Sequence, residues 1–254
     1  MKKQLLLIDV QNDFVNPNGS LFVPGADEDA KRTAQFIVEN IEEIDHIALT
    51  IDDHNTSHVS LDTAWKNVDP FTSISLEDYL KGKYTIRDDA RKGKILQYLE
   101  TLKLNKKPNL TVWPAHCLVG SWGQCIDRNV FNAVLEWEKH NNLKAKFFRK
   151  GQDDNTDQYS LFSSESSTGI DTKLAFKFYN MKNLFIAGQE KYICVGSSII
   201  DIVKCMGDGS NITLLNNCTS SIGATDDIYR ERVKNLENAI KEFGISVKTT
   251  KEIK

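Results

Sequence analysis

Short apolar, β-prone runs alternate with stretches of helical periodicity along this chain, and that alternation restricts its fold more than any other feature. The runs fall at residues 5–8, 47–51, 110–113, 145–148, 184–187, 212–215 and 245–247. Between them Ala30, Ala34, Ile37, Val38 and Ile41 recur at helical spacing, and so do Val233, Leu236, Ile240 and Phe243, with Gly244 placed as a stop. Strands separated by helices run parallel, and the helices cover both faces of the sheet they form. The expected fold is α/β, with three layers (α/β/α) around a mostly parallel sheet, in one domain spanning residues 1–254. Residues 60–108 are the least regular stretch. One helix is predicted there over 90–102, with Ile95, Leu99 and Leu102 on a face, and the stretch reads as an insertion or lid.

Composition removes several function classes. The chain has 254 residues, 40% of them hydrophobic, enough for one sizeable core. A formal net charge of -3 with dispersed basic residues gives no footprint for nucleic acid and no basic face for a membrane. Only four apolar residues precede Asp9, which is short for a signal peptide, and no run approaches the ~20 residues of a membrane span. The five cysteines, Cys117, Cys125, Cys194, Cys205 and Cys218, are odd in number and scattered. Reduced thiols in the cytoplasm are the expectation, rather than a disulfide framework. The expected partner is a small molecule, and a homo-oligomer stays open.

Ligands of open parallel sheets bind beyond the carboxyl ends of the strands. Asp9 follows the first run, Asp52 and His54 the second, and His116 the third. Lys150 follows the fourth, and Cys194 opens the helix after the fifth. Each has an ordinary explanation alone: an Asp caps a turn, a Lys snorkels to water, a cysteine packs as a small hydrophobe. Together on one rim they are hard to explain as solvated surface. A thiol at a helix N-terminus feels the positive end of the helix dipole, which favours the thiolate. Such a nucleophile needs a proton acceptor, for which Asp9 is the candidate. Lys150, ending a strand expected to be largely buried, needs an anionic partner. Asp52, His54 and His116 offer one carboxylate and two imidazoles, a set that suits Zn²⁺ or Fe²⁺ and leaves positions open for water or substrate. A non-haem iron oxygenase would use the same ligands but would leave Lys150 and Cys194 without purpose.

These residues sit in motifs that resemble the isochorismatase-like cysteine hydrolases, and within them the nicotinamidases. The anchors are Ile8-Asp-Val-Gln-Asn-Asp-Phe14, Gly19-Ser-Leu-Phe-Val-Pro-Gly25, Asp52-Asp-His54 with His58, and Trp113-Pro-Ala-His-Cys-Leu-Val-Gly120. Lys150-Gly151, Asp157-Gln-Tyr-Ser-Leu-Phe162 and Gly188 through Val195 complete the series, in the family's order. The resemblance implies a catalytic triad of Asp9, Lys150 and Cys194, and a divalent metal, zinc first with iron or manganese as alternatives, on Asp52, His54 and His116. His58 would stand nearby as an extra ligand or as support for the others. Phe14 and Trp113 would flank an aromatic ring, and Tyr159 would help close the pocket. Backbone N–H groups of Glu190 and Cys194 would form the oxyanion hole, with a cis peptide between Gln189 and Glu190. The implied reaction is hydrolysis of nicotinamide to nicotinate and ammonia through a thioester. The alternatives are a ureido, carbamoyl or maleamate-type amide, or a silent small-molecule-binding homologue. Two positions depart from the family pattern. Tyr192 replaces the usual Asp two residues before the nucleophile, leaving a displaced charge at Lys191. Asp53 stands where an aromatic residue is usual, and would either add a negative charge beside the metal or compete with Asp52 as its ligand.

Overall fold

Six strands form the main sheet in the computed structural model, which describes residues 2–180 and 182–253. In chain order the strands are β1 (Lys3–Ile8), β2 (Ile44–Asp52), the two-residue strands β3 (Trp65–Lys66), β4 (Ser73–Ile74), β5 (Thr85–Ile86) and β6 (Leu110–Thr111), then β7 (Lys146–Lys150), β8 (Leu184–Gly188), β9 (Ile212–Leu215) and β10 (Ser246–Lys248). The helices are α1 (Asn12–Val15), α2 (Ala26–Glu39), α3 (Leu76–Leu80), α4 (Lys92–Leu104), α5 (Arg128–Asn141), α6 (Thr172–Tyr179), α7 (Gly196–Met206) and α8 (Asp227–Phe243). The sheet order is β10-β9-β8-β1-β2-β7, and every pairing in it is parallel.

β1 is buried on both faces, so its sequence is a continuous apolar run rather than an alternation. Leu5 and Leu7 join Phe36 and Ile37 of α2 and Val134 and Trp137 of α5. Leu6 and Ile8 join Phe178 of α6, Ile199 and Ile202 of α7 and Leu236 of α8. The helices carry ordinary stop and start signals. Asp127 accepts the Asn129 and Val130 N–H groups at the start of α5, and Gly244, at φ 71°, ends α8 as its position predicts. Strand order reverses at β1: the chain proceeds through β2 to β7 on one side and returns through β8 on the other. That reversal opens a crevice at the carboxyl ends of the central strands.

Two expectations are corrected. The run at 110–113 is not a strand of the parallel sheet. β7 takes the place beside β2, pairing Ala48–Asp52 with Lys146–Lys150, while β6 pairs antiparallel with β4. Leu110 and Val112 face a separate small core with Val59, Trp65, Ile86 and Leu99, built by the 60–108 stretch, which thus has a core of its own. The predicted helix there is α4, and its Ile95, Leu99 and Leu102 are buried. β7 is also not a buried strand but a sheet edge, with Phe147 48% exposed; Lys150 is its one buried residue. Among the described residues, no helix is long and apolar enough to cross a membrane.

Candidate active site

The carboxyl ends of β1, β2, β7 and β8 converge on one cluster. Asp9 leaves β1 with a positive φ of 48°. The Thr50 hydroxyl on β2 accepts from the Asp9 N–H at 2.9 Å and donates to Asp9 Oδ1 at 2.5 Å, so one side chain fixes both ends of the residue. Lys150 Nζ lies 2.9 Å from Asp9 Oδ2, 3.0 Å from Asp52 Oδ1 and 3.7 Å from Cys194 Sγ, and donates to the Gln158 carbonyl at 3.3 Å. All four side chains are buried.

The charges partition unevenly. Burial opposes the Lys150 ammonium, but the flanking Asp52 and Asp9 carboxylates hold it charged, well above the ordinary lysine value. Burial likewise opposes the Asp52 carboxylate, yet His54 and Lys150 hold it well below the ordinary carboxyl range. For Asp9 burial prevails over the pull of Lys150, and its carboxyl is raised. Asp9 Oδ2 is in ion-pair contact with Lys150 but makes no aligned hydrogen bond, which leaves that oxygen able to take a proton. Cys194 lies in a π-helical turn, Lys191–Val195, that leads into α7, and burial pushes its thiol well up despite Lys150. That direction runs against the thiolate that a place before a helix favours.

Beside this cluster, the donor atoms of Asp52, His54 and His116 all lie within 4.8 Å of one another, and all three residues are buried. Asp52 Oδ2 stands 3.1 Å from His54 Nε2 and 3.6 Å from His116 Nε2. The other ring nitrogens are held from behind, His54 Nδ1 by the Gly151 carbonyl at 3.0 Å and His116 Nδ1 by the Pro114 carbonyl at 2.8 Å. Backing of this kind orients imidazoles for a metal. The donor set fits a divalent ion. Gly151, at φ 72°, permits the close approach: a Cβ there would stand 2.5 Å from His54 Cε1 and 2.8 Å from Asp52 Oδ1. His58 stacks on His54 with ring centroids 4.2 Å apart but is not one of the three clustered donors. Its Nδ1 meets Ser60 Oγ at 2.8 Å, and its buried Nε2 has no hydrogen-bond partner. Asp53 does not compete for the metal position. Its oxygens are taken by Arg149 at 2.5 Å, by Gln152 at 3.0 Å and by Gln124.

Phe14, Trp113 and Tyr159 line one cavity with Asp52, His116 and Cys194. The Trp113 indole donates to the Tyr159 hydroxyl at 3.3 Å, and Phe14 meets the His116 ring edge-on at 5.2 Å. The Gln189–Glu190 peptide is cis. The Glu190 N–H has no hydrogen-bond partner among the described residues, and Glu190 and Cys194 both line the cavity. Gly188 lets β8 press against β1 just before this turn, since a Cβ would lie 1.9 Å from the Ile8 carbonyl oxygen. The Lys191 ammonium donates to Asn216 Oδ1 at 2.6 Å and lies 5.4 Å from the centroid of the Tyr192 ring. Sequence reasoning missed the Asp157 and Glu190 side chains and Ile222, all in the cavity wall. The Asp157-Gln-Tyr motif was the available signal for the first; nothing local marked the others.

No family model matches the chain. The nicotinamidase of Saccharomyces cerevisiae is 24% identical over 246 residues, covering 96% of this chain and 98% of that protein. Its solved structure superposes with a TM-score of 0.68, covering 97% of this chain and 99% of that one at 22% identity. The chain has the nicotinamidase fold. A nicotinamidase/pyrazinamidase of Acinetobacter baumanii shares it at 18% identity and a TM-score of 0.67, covering 100% of this chain and 98% of that one. So does the pyrazinamidase of Pyrococcus horikoshii, solved in complex with zinc, at 17% identity and a TM-score of 0.53, covering 98% of this chain and 99% of that one. Each of these matches spans 96% or more of this chain.

Proposed function

We propose that this protein is a nicotinamidase, hydrolysing nicotinamide to nicotinate and ammonia with Cys194 as nucleophile. The observation that carries the reading is an aromatic-walled cavity lined by Cys194 together with the Asp52, His54 and His116 donor set, with Lys150, paired to Asp9, against the sulfur. In this reading Asp9 takes the thiol proton as the sulfur attacks the amide carbon. Lys150 stays protonated and holds the sulfur and both carboxylates in one arrangement. The backbone N–H groups of Glu190 and Cys194 receive the oxyanion, a kind of contact worth ~3 kcal/mol each. The C–N bond breaks as the proton held on Asp9 passes to the leaving nitrogen, giving ammonia and a Cys194 thioester. Water deprotonated by Asp9 then cleaves the thioester, releasing nicotinate and restoring the thiol.

Phe14 and Trp113 flank the substrate ring, with Tyr159 fixed by the Trp113 indole. A divalent metal on Asp52, His54 and His116, with zinc the first assignment by analogy with the Pyrococcus horikoshii pyrazinamidase, would supply a Lewis-acidic anchor for a pyridine nitrogen. We read residues 1–254 as one domain, with 60–108 as a cap beside the pocket. The five free cysteines suit the reducing cytoplasm.

The test is ammonia release from nicotinamide, pyrazinamide, benzamide and aliphatic or ureido amides. Turnover of the first two supports the reading. Activity confined to aliphatic or ureido amides replaces the substrate while keeping the nucleophile.

A further inference from the structure

The turn that presents Cys194 has Tyr192, not an acidic residue, two positions before the nucleophile, and its support comes from another side chain. Glu190, 5% exposed, caps the N-terminal end of the turn with its carboxylate. Its Oε2 accepts the N–H groups of Tyr192 and Ile193, each at 2.9 Å. Its Oε1 accepts the Ile222 N–H at 3.1 Å and the Tyr229 hydroxyl at 2.5 Å. Tyr192 packs edge-on against Tyr229 with ring centroids 5.9 Å apart. Ile222 in turn lines the substrate cavity.

We infer that Glu190 is a positioning residue for the reaction, its carboxylate holding the nucleophile turn and tying it to Ile222 in the cavity wall and to Tyr229 in the first turn of α8. Two of its four bonds go to the residues immediately before Cys194, so they set the direction in which the sulfur leaves the turn. The same residue contributes a free backbone N–H beside Cys194, and anchoring its side chain therefore fixes that donor as well. Hydrogen bonds to a carboxylate are stronger than neutral ones, and removing it leaves buried N–H groups unpaired. Lys191, adjacent in sequence, cannot substitute, because an ammonium has no lone pair with which to accept these N–H groups.

The inference rests on the nicotinamidase reading for its kinetic test, and a second readout separates the two. Glu190→Ala and Tyr229→Phe are compared with the wild type for nicotinamide turnover per titratable thiol and for the rate at which iodoacetamide alkylates Cys194, which needs no knowledge of the substrate. A positioning role predicts for Glu190→Ala a kcat lower by about 10²-fold, with KM within about threefold and alkylation slowed about tenfold. Tyr229→Phe, which keeps the other three bonds, should lower kcat by roughly threefold to tenfold and settles the matter if Glu190→Ala fails to fold. Normal kcat per titratable thiol in a folded Glu190→Ala protein overturns the inference, as does a Tyr229→Phe protein unchanged in both readouts. If the wild type turns over no nicotinamide, equal alkylation rates still overturn the inference and slowed alkylation still supports it.

Discussion

Lys150 touches two carboxylates and treats them differently, and the chemistry follows from that difference. Asp52, shared with two histidines, stays ionised; Asp9, buried and held by one hydroxyl, is the carboxyl raised toward proton uptake. Removing the ammonium would leave two buried carboxylates facing each other. Lys150→Ala should therefore abolish activity and destabilise the fold by roughly 3–5 kcal/mol, read by urea unfolding at neutral pH. Stability equal to wild type would mean that the cluster is not charged as described. The sequence made Asp9, Lys150 and Cys194 legible because each follows a strand end. It left Asp52 and Asp53 in competition, since adjacent residues share the same local signals and only Arg149, Gln124 and Gln152, brought from distant segments, occupy Asp53. Metal content separates them: Asp52→Ala should lose the bound ion, and Asp53→Ala should keep it when measured by elemental analysis. The reverse result would exchange the ligand assignment.

At the scale of elements, what the periodicity could not tell was which sheet an apolar run joins. The run at 110–113 has the composition of a core strand, but β7 already pairs with β2, and the run serves the small core around Trp65 instead. Position beside a neighbour, not composition, decides such cases. Likewise β7 is an edge that covers only its last residue, Lys150, because the loop carrying Gln158 closes over it. The cysteine turn was illegible for a related reason: Glu190 is held by Ile222 and Tyr229, 32 and 39 residues beyond it. The small core makes its own prediction. Trp65 is fully buried, and its indole donates to the Val59 carbonyl at 2.8 Å, one residue beyond His58. Trp65→Ala should cost about 3–5 kcal/mol. Hydrogen exchange should show the loss first as faster exchange across α4 and the strands β3 and β5. Exchange unchanged there would contradict a self-contained core in this stretch.

At the scale of the whole molecule, the metal donors and the nucleophile sit where strand order reverses, so occupancy of the one should be felt by the fold that carries the other. A tightly held ion present at a hundredfold excess over its dissociation constant stabilises by ~2.7 kcal/mol. Chelation should thus lower Tm by roughly 5–10 °C and suppress nicotinamide turnover, and adding zinc back should restore both. A Tm insensitive to chelator would argue against a resident metal. The most direct test of the central claim is ammonia release from nicotinamide by the wild-type protein and by Cys194→Ala, side by side. The account predicts one ammonia for each nicotinate formed by the wild type. It predicts a loss of roughly 10³-fold or more in the variant, whose metal content and fold are unchanged. Ammonia release by Cys194→Ala at near the wild-type rate would contradict it.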